Sequence, residues 1–229
     1  MKIDLVVFDI AGTTVSDKGN INDAFREAMN KSGYPVTVES VNHVMGYRKK
    51  EAIQILLAKF HPSQAGDKSL VEDIHDQFTQ DMVTYYQSTP DLSALPYAED
   101  LFKLLHVNNI KVALDTGFTK AITDTIMERL GWHNSGLVDC IVSSDEVAAG
   151  RPHAYMIQKI MNELQLTQSQ QVVKVGDTEV DIAEGRTAGC GLVIAVTTGA
   201  YSREELETFS PDHIIEGLIE LPAILKIGA

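Results

Sequence analysis

Five short apolar runs separated by helical patterns constrain the fold of this chain more than any other feature. The runs are rich in β-branched residues and cover residues 3–8, 110–114, 140–143, 172–175 and 192–196. Strands that are apolar throughout are typical of parallel sheets covered by helices on both faces. The pattern predicts an α/β fold with a Rossmann-like parallel sheet, with core helices over residues 98–107, 120–130, 154–164 and 181–188.

A long segment between the first two predicted strands indicates a second unit. Its apolar residues recur at helical spacing over residues 24–31, 38–44, 49–60 and 70–86, and it is far too long for a simple crossover. We predict a core domain of residues 1–16 and 90–229 and a helical cap domain of residues 17–89, which lies over the carboxyl ends of the strands. Hinges between the two domains are expected at residues 15–17 and 88–92.

Composition limits the partners of the chain. The 229 residues carry 32 acidic against 19 basic side chains, a net charge of −13, which argues against nucleic acid or an anionic membrane as a partner. No apolar stretch reaches transmembrane length, and Cys140 and Cys190 form neither a metal motif nor a disulfide framework. We expect a cytoplasmic enzyme with a small anionic substrate. The composition is compatible with a homodimer as well as with a monomer.

Asp9 directly follows the first apolar run and is itself followed by a short turn that contains Gly12 and Thr13. A carboxylate at the carboxyl end of a buried strand is where an α/β protein exposes a reactive group, and the N–H groups of such a turn can hold phosphate. The alternative is an ordinary turn or helix cap, the usual role of aspartate after a strand. On the first interpretation, Gly12 and Thr13 contribute to substrate binding.

A second acidic pair follows the strand predicted at residues 172–175. Asp177 and Asp181 are four residues apart, which places both carboxylates on one side of the turn that opens the next helix. Taken alone, the pair favours an acidic cluster that stabilises the dipole of that helix. Because Asp9 is expected at a neighbouring strand end, we predict a Mg²⁺ site, since Mg²⁺ prefers carboxylates together with phosphate oxygens.

Two further segments that follow predicted strands offer phosphate-binding groups. Thr116 and Gly117 supply a hydroxyl and backbone N–H groups, although the same residues fit a helix N-cap. Arg151 lies between the third strand and a helix, where it could neutralise phosphate charge or bridge to the Asp9 carboxylate.

These four segments, in this order, resemble the haloacid dehalogenase superfamily of phosphoryl-transfer enzymes. The resemblance covers residues 1–16 and 90–200, and the helical segment lies where that superfamily has a cap domain. It implies that Asp9 is the nucleophile and that Thr116 binds the transferring phosphoryl group. It also implies that Arg151 replaces the usual lysine of the superfamily.

Within this resemblance Ala11 has two consequences. Its carbonyl is expected to join Asp9 and Asp177 in binding Mg²⁺, with Asp181 positioning water or metal. Its side chain replaces the aspartate that most phosphatases and mutases of the superfamily use as general acid and base. A methyl group cannot transfer a proton, a contribution that is typically about 10²–10⁴ in rate. Either the enzyme is slow, or its chemistry places the proton or electron sink elsewhere.

Lys49 in the predicted cap is a candidate for that sink. On helical spacing it is in line with the apolar residues of its helix, so we predict that it points inward from the helix N-terminus beside Arg48 and Lys50. The helix dipole and the neighbouring cations disfavour its protonated form, which makes the amine nucleophilic. The alternative is a solvated basic turn. Arg48 is assigned to substrate binding.

The motifs together resemble the phosphonoacetaldehyde hydrolase branch of the superfamily. In that branch a cap lysine that follows Met-Gly-x-x forms a Schiff base with the substrate aldehyde, and Lys49 matches this lysine. The iminium then serves as the electron sink for cleavage of the carbon–phosphorus bond. The chain departs from the branch at three positions, where Ala52 replaces a histidine, Phe118 a tyrosine and Ile10 a tryptophan.

These residues are compatible with three functions. The first is a Mg²⁺-dependent phosphonatase-like hydrolase that forms an aspartyl-phosphate on Asp9 and cleaves the C–P bond of phosphonoacetaldehyde or a related phosphonate. The second is a phosphatase of a small phosphate monoester, whose turnover would survive Lys49→Ala but not Asp9→Asn. The third is a non-catalytic ligand-binding relative, against which the presence of all four core motifs argues.

Overall fold

Six parallel strands form the central sheet in a computed structural model that describes residues 2–228. In chain order they are β1 Leu5–Asp9, β2 Lys111–Thr116, β3 Cys140–Ser143, β4 Val172–Gly176, β5 Leu192–Val196 and β6 His213–Ile215. Across the sheet the order is β3-β2-β1-β4-β5-β6, and every neighbouring pair is parallel. The prediction of an α/β fold with a Rossmann-like sheet is confirmed.

Helices connect these strands and cover the sheet. The α-helices are α1 Asn20–Lys31, α2 Val38–Asn42, α3 Lys49–Phe60, α4 Lys68–Ser88, α5 Ala98–Val107, α6 Lys120–Leu130, α7 Tyr155–Glu163, α8 Glu179–Ala188, α9 Arg203–Thr208 and α10 Leu221–Leu225. Short 3₁₀ turns lie at Pro62–Gln64, Ser144–Glu146, Ser169–Gln171 and Leu218–Glu220. None of the helices within residues 2–228 combines the length and the apolarity needed to cross a bilayer.

Strand β1 is buried on both faces because its alternating side chains enter two different cores. Val6 and Phe8 belong to a cluster that includes apolar residues of α5 and α6, and the Phe8 ring lies 5.4 Å from that of Phe102. Leu5 and Val7 belong to the opposite cluster, which contains residues of α7. Continuous apolar character is therefore required in β1, as expected for a central strand of a parallel sheet.

The chain order of the sheet brings three of the predicted motifs together. Strand β1 lies between β2 and β4, so the carboxyl ends that carry Asp9, Thr116 and Asp177 are neighbours in the middle of the sheet. Strands β2 and β3 lie on one side of β1, and strands β4, β5 and β6 lie on the other. Ligands in open α/β sheets bind at such a switch point.

The tail of the chain holds the one strand that the sequence analysis did not predict. Strand β6 has only three residues, of which the first is exposed and the last buried, and it pairs with β5 at the sheet edge. Such a short edge strand shows neither alternation nor a continuous apolar run. The apolar run seen in the sequence at residues 214–225 divides between β6, a 3₁₀ turn and α10.

Helices α1 to α4 lie between β1 and β2 in the sequence, and they pack on one another. The rings of Phe25 on α1 and Phe78 on α4 lie 5.4 Å apart, and both are buried. The predicted helices are present, although α1 begins four residues earlier than predicted, at Asn20, and α4 extends over Lys68–Ser88. The division into a core of residues 1–16 and 90–229 and a cap of residues 17–89 stays a prediction.

Truncation of Phe78 tests the packing of this helical layer. We expect Phe78→Ala to lower the free energy of unfolding by about 3–5 kcal/mol, because it leaves a cavity beside Phe25. The matched control is Phe60→Ala on α3, where the ring is 42% exposed and the loss should stay below about 1 kcal/mol. Urea unfolding measures both values, and equal losses would contradict the packing described here.

Candidate active site

A small enclosed cavity lies between the carboxyl ends of the central strands and the helical layer. Its volume is about 30 Å³, which holds a few water molecules at most. The described residues that line it come from the strand ends, from the loop before α3 and from the loop after β5: Asp9, Ala11, Gly12, Asp17, Ile21, Met45, Gly46, Lys49, Thr116, Gly117, Phe118, Asp177, Thr178, Gly199 and Ala200.

Asp9 is the last residue of β1 and presents a nearly buried carboxylate to this cavity. Its Oδ1 accepts a hydrogen bond of 2.7 Å from Nη1 of Arg151, whose side chain is wholly buried. Burial raises the pKa of Asp9 to about 6, and the positive charge of Arg151 limits that rise. The carboxylate is therefore ionised above that pH and faces the space where a substrate would bind.

The turn after β1 is held in shape by its own hydrogen bonds. The amides of Thr14 and Val15 donate to the Ile10 carbonyl, and the amide of Gly12 donates to the Val15 carbonyl. Gly12 has a φ of 86°, and a Cβ there would lie 2.8 Å from the Cα of Gly199. Only glycine fits this close, left-handed turn. The amide of Gly12, predicted to bind substrate, is thus already paired within the turn.

Asp177 lies opposite Asp9 in the cavity and is held by two donors. Thr13 Oγ1 donates to its Oδ1 at 3.2 Å, and the Ala200 amide donates to its Oδ2 at 2.7 Å. The Thr13 hydroxyl thus orients Asp177, and Thr13 does not line the cavity; its predicted role in substrate binding stays a prediction. Burial, together with the charges of Asp9 and Asp181, raises the pKa of Asp177 well above its usual range.

The oxygen atoms around Asp9 and Asp177 fit a divalent cation. Burial and the charge of Asp9 raise the pKa of Asp177, so a cation between these two carboxylates would stabilise their ionised forms. Carboxylate and carbonyl oxygens are the ligands that Mg²⁺ prefers. Ala11 lines the cavity beside both of them. The chemistry of this donor set therefore agrees with the predicted ligands Asp9, Asp177 and the Ala11 carbonyl.

A second group of carboxylates that could hold a metal consists of Asp9, Asp115 and Asp181, whose oxygens lie within 4.8 Å of one another. In this group Asp181 already contacts two cations, at 3.0 Å from Nη1 of Arg151 and 3.1 Å from Nζ of Lys174. Its other oxygen accepts from the amide and hydroxyl of Thr178. These cations already balance the charge of the group, so it needs a metal less than the carboxylate pair of Asp9 and Asp177 does.

Arg151 is part of a buried ion network that the sequence analysis only partly predicted. Its guanidinium contacts Asp9, Asp115 and Asp181, while Nε donates to Glu184 at 3.0 Å. The expected bridge from Arg151 to Asp9 is present in the structure.

Lys174 and Glu184 complete the network and were not predicted. Lys174 contacts Asp115, Asp181 and Glu184. Burial alone would lower the pKa of Lys174, but these carboxylates raise it overall. The available signal was a lysine inside the otherwise apolar strand Val172–Gly176, since an unpaired lysine is almost never fully buried. Its partner Glu184 on α8 gives no comparable signal, because exposed glutamates are frequent on helices.

Lys49 is the first residue of α3, and its side chain enters the cavity from the helical layer. The residue is only 4% exposed, and Nζ lies 5.4 Å from the centre of the Phe118 ring. Burial lowers the pKa of Lys49 to about 8, an effect that Asp9 partly opposes. The next residue, Lys50, contacts Glu72 on α4 and is partly exposed. The structure therefore distinguishes the two lysines as the helical spacing predicted.

The loop before α3 packs tightly on glycines of the sheet. A Cβ on Gly117 would lie 2.5 Å from the carbonyl oxygen of Tyr47, and a Cβ on Gly150 would lie 2.6 Å from the Cβ of Arg48. The guanidinium of Arg48 donates to the Ala148 carbonyl at 3.3 Å, and Arg48 does not line the cavity. The prediction that Arg48 binds substrate therefore gains no support from this geometry, which places Arg48 in the contact between loop and sheet.

Thr116 ends β2 and lines the cavity beside Gly117 and Phe118. Its Oγ1 accepts from the amide of Phe118 at 3.2 Å, which leaves the hydroxyl proton free to point into the cavity. A hydroxyl donor at this place agrees with the predicted binding of a phosphoryl oxygen.

Removal of Lys174 tests the ion network. We expect Lys174→Met to lower the free energy of unfolding by about 3–5 kcal/mol, because it leaves buried carboxylates without their partner. In the control Lys120→Met the lost ion pair with Asp124 is solvent-exposed, and the change should stay below about 1 kcal/mol. Denaturant titration measures the free energy of unfolding of both variants. An unchanged free energy of unfolding in Lys174→Met would contradict the network.

Comparison with known proteins agrees with the fold and with the predicted superfamily. The family described as haloacid dehalogenase-like hydrolase matches residues 6–196. The phosphonoacetaldehyde hydrolase of Latilactobacillus sakei is 29% identical over 256 residues, which cover 97% of this chain and 95% of that protein. A hydrolase from Pseudomonas syringae superposes with a TM-score of 0.85 at 18% identity, and the superposition covers 99% of this chain and 98% of that protein. A phosphonoacetaldehyde hydrolase-like protein from Oleispira antarctica superposes with a TM-score of 0.81 at 20% identity, and the superposition covers 99% of this chain and 92% of that protein. The chain belongs to the haloacid dehalogenase-like hydrolases.

Proposed function

We propose that the protein is a Mg²⁺-dependent, phosphonatase-like hydrolase that cleaves the C–P bond of phosphonoacetaldehyde or a related 2-oxo-phosphonate. One observation carries the proposal: a buried lysine amine with a lowered pKa and a strand-end carboxylate line the same small cavity. Cleavage of the C–P bond of a 2-oxo-phosphonate can use such an amine through the substrate carbonyl, whereas hydrolysis of a phosphate monoester does not need one. The relative from Latilactobacillus sakei that bears the name phosphonoacetaldehyde hydrolase supports the same substrate class.

Lys49 supplies the electron sink in this proposal. Its neutral amine attacks the substrate carbonyl, and loss of water from the adduct leaves a protonated Schiff base, an iminium, on Nζ. The aromatic ring of Phe118 beside Nζ stabilises a cation at this place by contact with its face. The iminium removes the need for an acid at the position of Ala11, because the leaving group is a carbon and not an ester oxygen.

Asp9 takes the phosphoryl group. An oxygen of its carboxylate forms a bond to phosphorus as the C–P bond breaks, and the electron pair of that bond moves into the iminium to give an enamine. Protonation of the enamine carbon and hydrolysis of the resulting iminium release acetaldehyde from Lys49. Water then hydrolyses the aspartyl-phosphate and returns Asp9 to its starting state.

The other residues of the site bind and orient the phosphoryl group. Arg151 fixes the Asp9 carboxylate, and the Thr116 hydroxyl is placed to donate to a phosphoryl oxygen. Asp9, Asp177 and the Ala11 carbonyl would hold Mg²⁺, which when bound supplies positive charge against that of the phosphoryl oxygens. The substrate is a small anion, and we keep the cytoplasm as the proposed location.

Substrate access requires movement of the helical layer. The cavity volume of about 30 Å³ is too small for a phosphonate with an aldehyde arm, and the loop that carries Lys49 is in contact with Gly117 and Gly150. We propose that the layer opens about residues 15–17 and 88–92 and closes on the substrate. Closure excludes water, which protects the Schiff base and the aspartyl-phosphate from premature hydrolysis.

Product formation from phosphonoacetaldehyde tests the proposed function. With Mg²⁺ present, the native chain should release acetaldehyde and phosphate in equal amounts. Lys49→Ala and Asp9→Asn should each lose at least about 1,000-fold in kcat/KM, since each removes a group that forms a covalent bond to the substrate. Lys50→Ala is the matched control, and it should stay within about twofold of the native rate, because this neighbour contacts Glu72 outside the cavity.

The variants also distinguish the alternative function. Phosphate release from a small phosphate monoester that survives Lys49→Ala but not Asp9→Asn would identify a phosphatase and contradict the proposed C–P cleavage. If phosphate release were unchanged in both Lys49→Ala and Asp9→Asn, the assignment of the active site would be contradicted.

The pH dependence of turnover follows from the lowered pKa of Lys49. Its ordinary pKa of 10.5 falls to about 8 in the buried site, so the fraction of neutral amine rises with pH up to about 8 and then levels off. Because Asp9 is ionised above about pH 6, we expect kcat/KM to increase about tenfold per pH unit between about pH 6 and 8, to fall more steeply below 6, and not to rise further above 8. An increase that continues toward pH 10 would indicate a solvent-exposed lysine and contradict the assignment of Lys49.

A further inference from the structure

The proposed reaction needs a proton-transfer group beside Lys49 that the site described so far does not contain. When the amine adds to the carbonyl, the hydroxyl of the adduct must take a proton before it leaves as water. In the product half of the reaction, the water that attacks the iminium must give up a proton. Ala11 can do neither, and Asp9 is committed to phosphorus.

The lining of the cavity contains one unassigned titratable side chain. Among the described residues that line it, the titratable groups are Asp9, Asp17, Lys49 and Asp177. Asp9 and Asp177 serve the phosphoryl group and the cation, and Lys49 forms the Schiff base. Asp17 alone has no role in the proposed mechanism.

Asp17 lines the same cavity as Lys49. It lies between the β1 turn and α1, where the chain enters the helical layer, and it is half-buried. Its carboxyl and the Lys49 amine act on one another electrostatically, each favouring the charged form of the other. The charge of Asp17 also contributes to the raised pKa of the buried Tyr86 on α4.

We propose that the Asp17 carboxyl is the acid and base for the Lys49 half of the reaction, an inference that rests on the proposed function. In the first half, the carboxylic acid donates its proton to the hydroxyl of the adduct, the C–O bond breaks, and water leaves the iminium. In the second half, the carboxylate accepts a proton from the water that attacks the product iminium, which restores the acid. The proton taken up by the enamine carbon is balanced by the one released when the aspartyl-phosphate is hydrolysed.

The surroundings of Asp17 agree with this use. Burial raises its pKa above the ordinary value of 3.8, which increases the fraction of acid available near neutral pH. The opposing influence comes from backbone N–H groups at the start of α1, of which the Gly19 amide donates to Oδ1 at 3.0 Å. The same bond has a structural use, since it stabilises the beginning of α1. An experiment must therefore separate the cap from the proton transfer.

Asp17→Asn separates the two, because asparagine accepts the same backbone hydrogen bond and caps helices as well as aspartate. The readout is the rate at which borohydride traps the Schiff base on Lys49 after acetaldehyde is added to the full chain with Mg²⁺. We expect Asp17→Asn to slow trapping at least about 100-fold. Asp23→Asn in the first turn of α1, where the carboxylate is 75% exposed, should trap at the native rate.

Two further measurements exclude a merely structural effect. Asp17→Glu keeps a carboxyl group and should recover at least about tenfold over Asp17→Asn. Binding of beryllium fluoride with Mg²⁺, which mimics the phosphoryl group on Asp9, should be unchanged in both variants. Equal trapping rates in the native chain and Asp17→Asn, or equally slow trapping in the Asn and Glu variants, would overturn the proposal. Trapping that fails even in the native chain would overturn the proposed Schiff base itself, and this inference with it.

Discussion

The buried guanidinium of Arg151 is the interaction on which the site depends. It contacts four carboxylates from three elements: Asp9 at the end of β1, Asp115 in β2, and Asp181 and Glu184 on α8. Buried ions are stable only when they are paired, so these strands and α8 cannot shift without leaving a charge without its partner. The same contact fixes the Asp9 carboxylate toward the cavity. Fold stability and nucleophile position therefore have a common cause.

A second constraint is the close contact between the helical layer and the sheet. Gly46, Gly117 and Gly150 let the loop before α3 approach the strand ends more closely than any side chain would allow. This approach buries Lys49 and lowers its pKa, because an ammonium loses hydration there. The chemistry proposed for Lys49 is thus a consequence of closure, and an open layer would return the lysine to water and raise its pKa.

The sequence allowed the sheet and the reactive residues at strand ends to be predicted, since both are local patterns. Asp9, Thr116 and Asp177 each follow an apolar run, and the parallel topology brings such ends together. What could not be predicted are partnerships that arise only from tertiary packing. Lys174 and Glu184 meet because β4 and α8 pack side by side, and no spacing in the sequence indicates it. The edge strand β6 depends on β5 as a template.

Arg48 and Lys49 illustrate the limit of helical periodicity. The spacing distinguished the inward Lys49 from the flanking Lys50, but it could not indicate where the Arg48 guanidinium would go. Arg48 precedes the helix, and its position is set by the Ala148 carbonyl of a distant loop. Residues where the loop before α3 meets the loops after the strands are therefore the least predictable part of the site, because their contacts come from distant parts of the chain.

The central claim is that Lys49 and Asp9 act on one substrate in one closed cavity. Peptide mapping after borohydride reduction of the native chain turning over phosphonoacetaldehyde tests it most directly. The account predicts a two-carbon adduct, free of phosphorus, on Lys49 and no comparable adduct on Lys50. Release of phosphate from phosphonoacetaldehyde without modification of Lys49, or with adducts spread evenly over surface lysines, would contradict it.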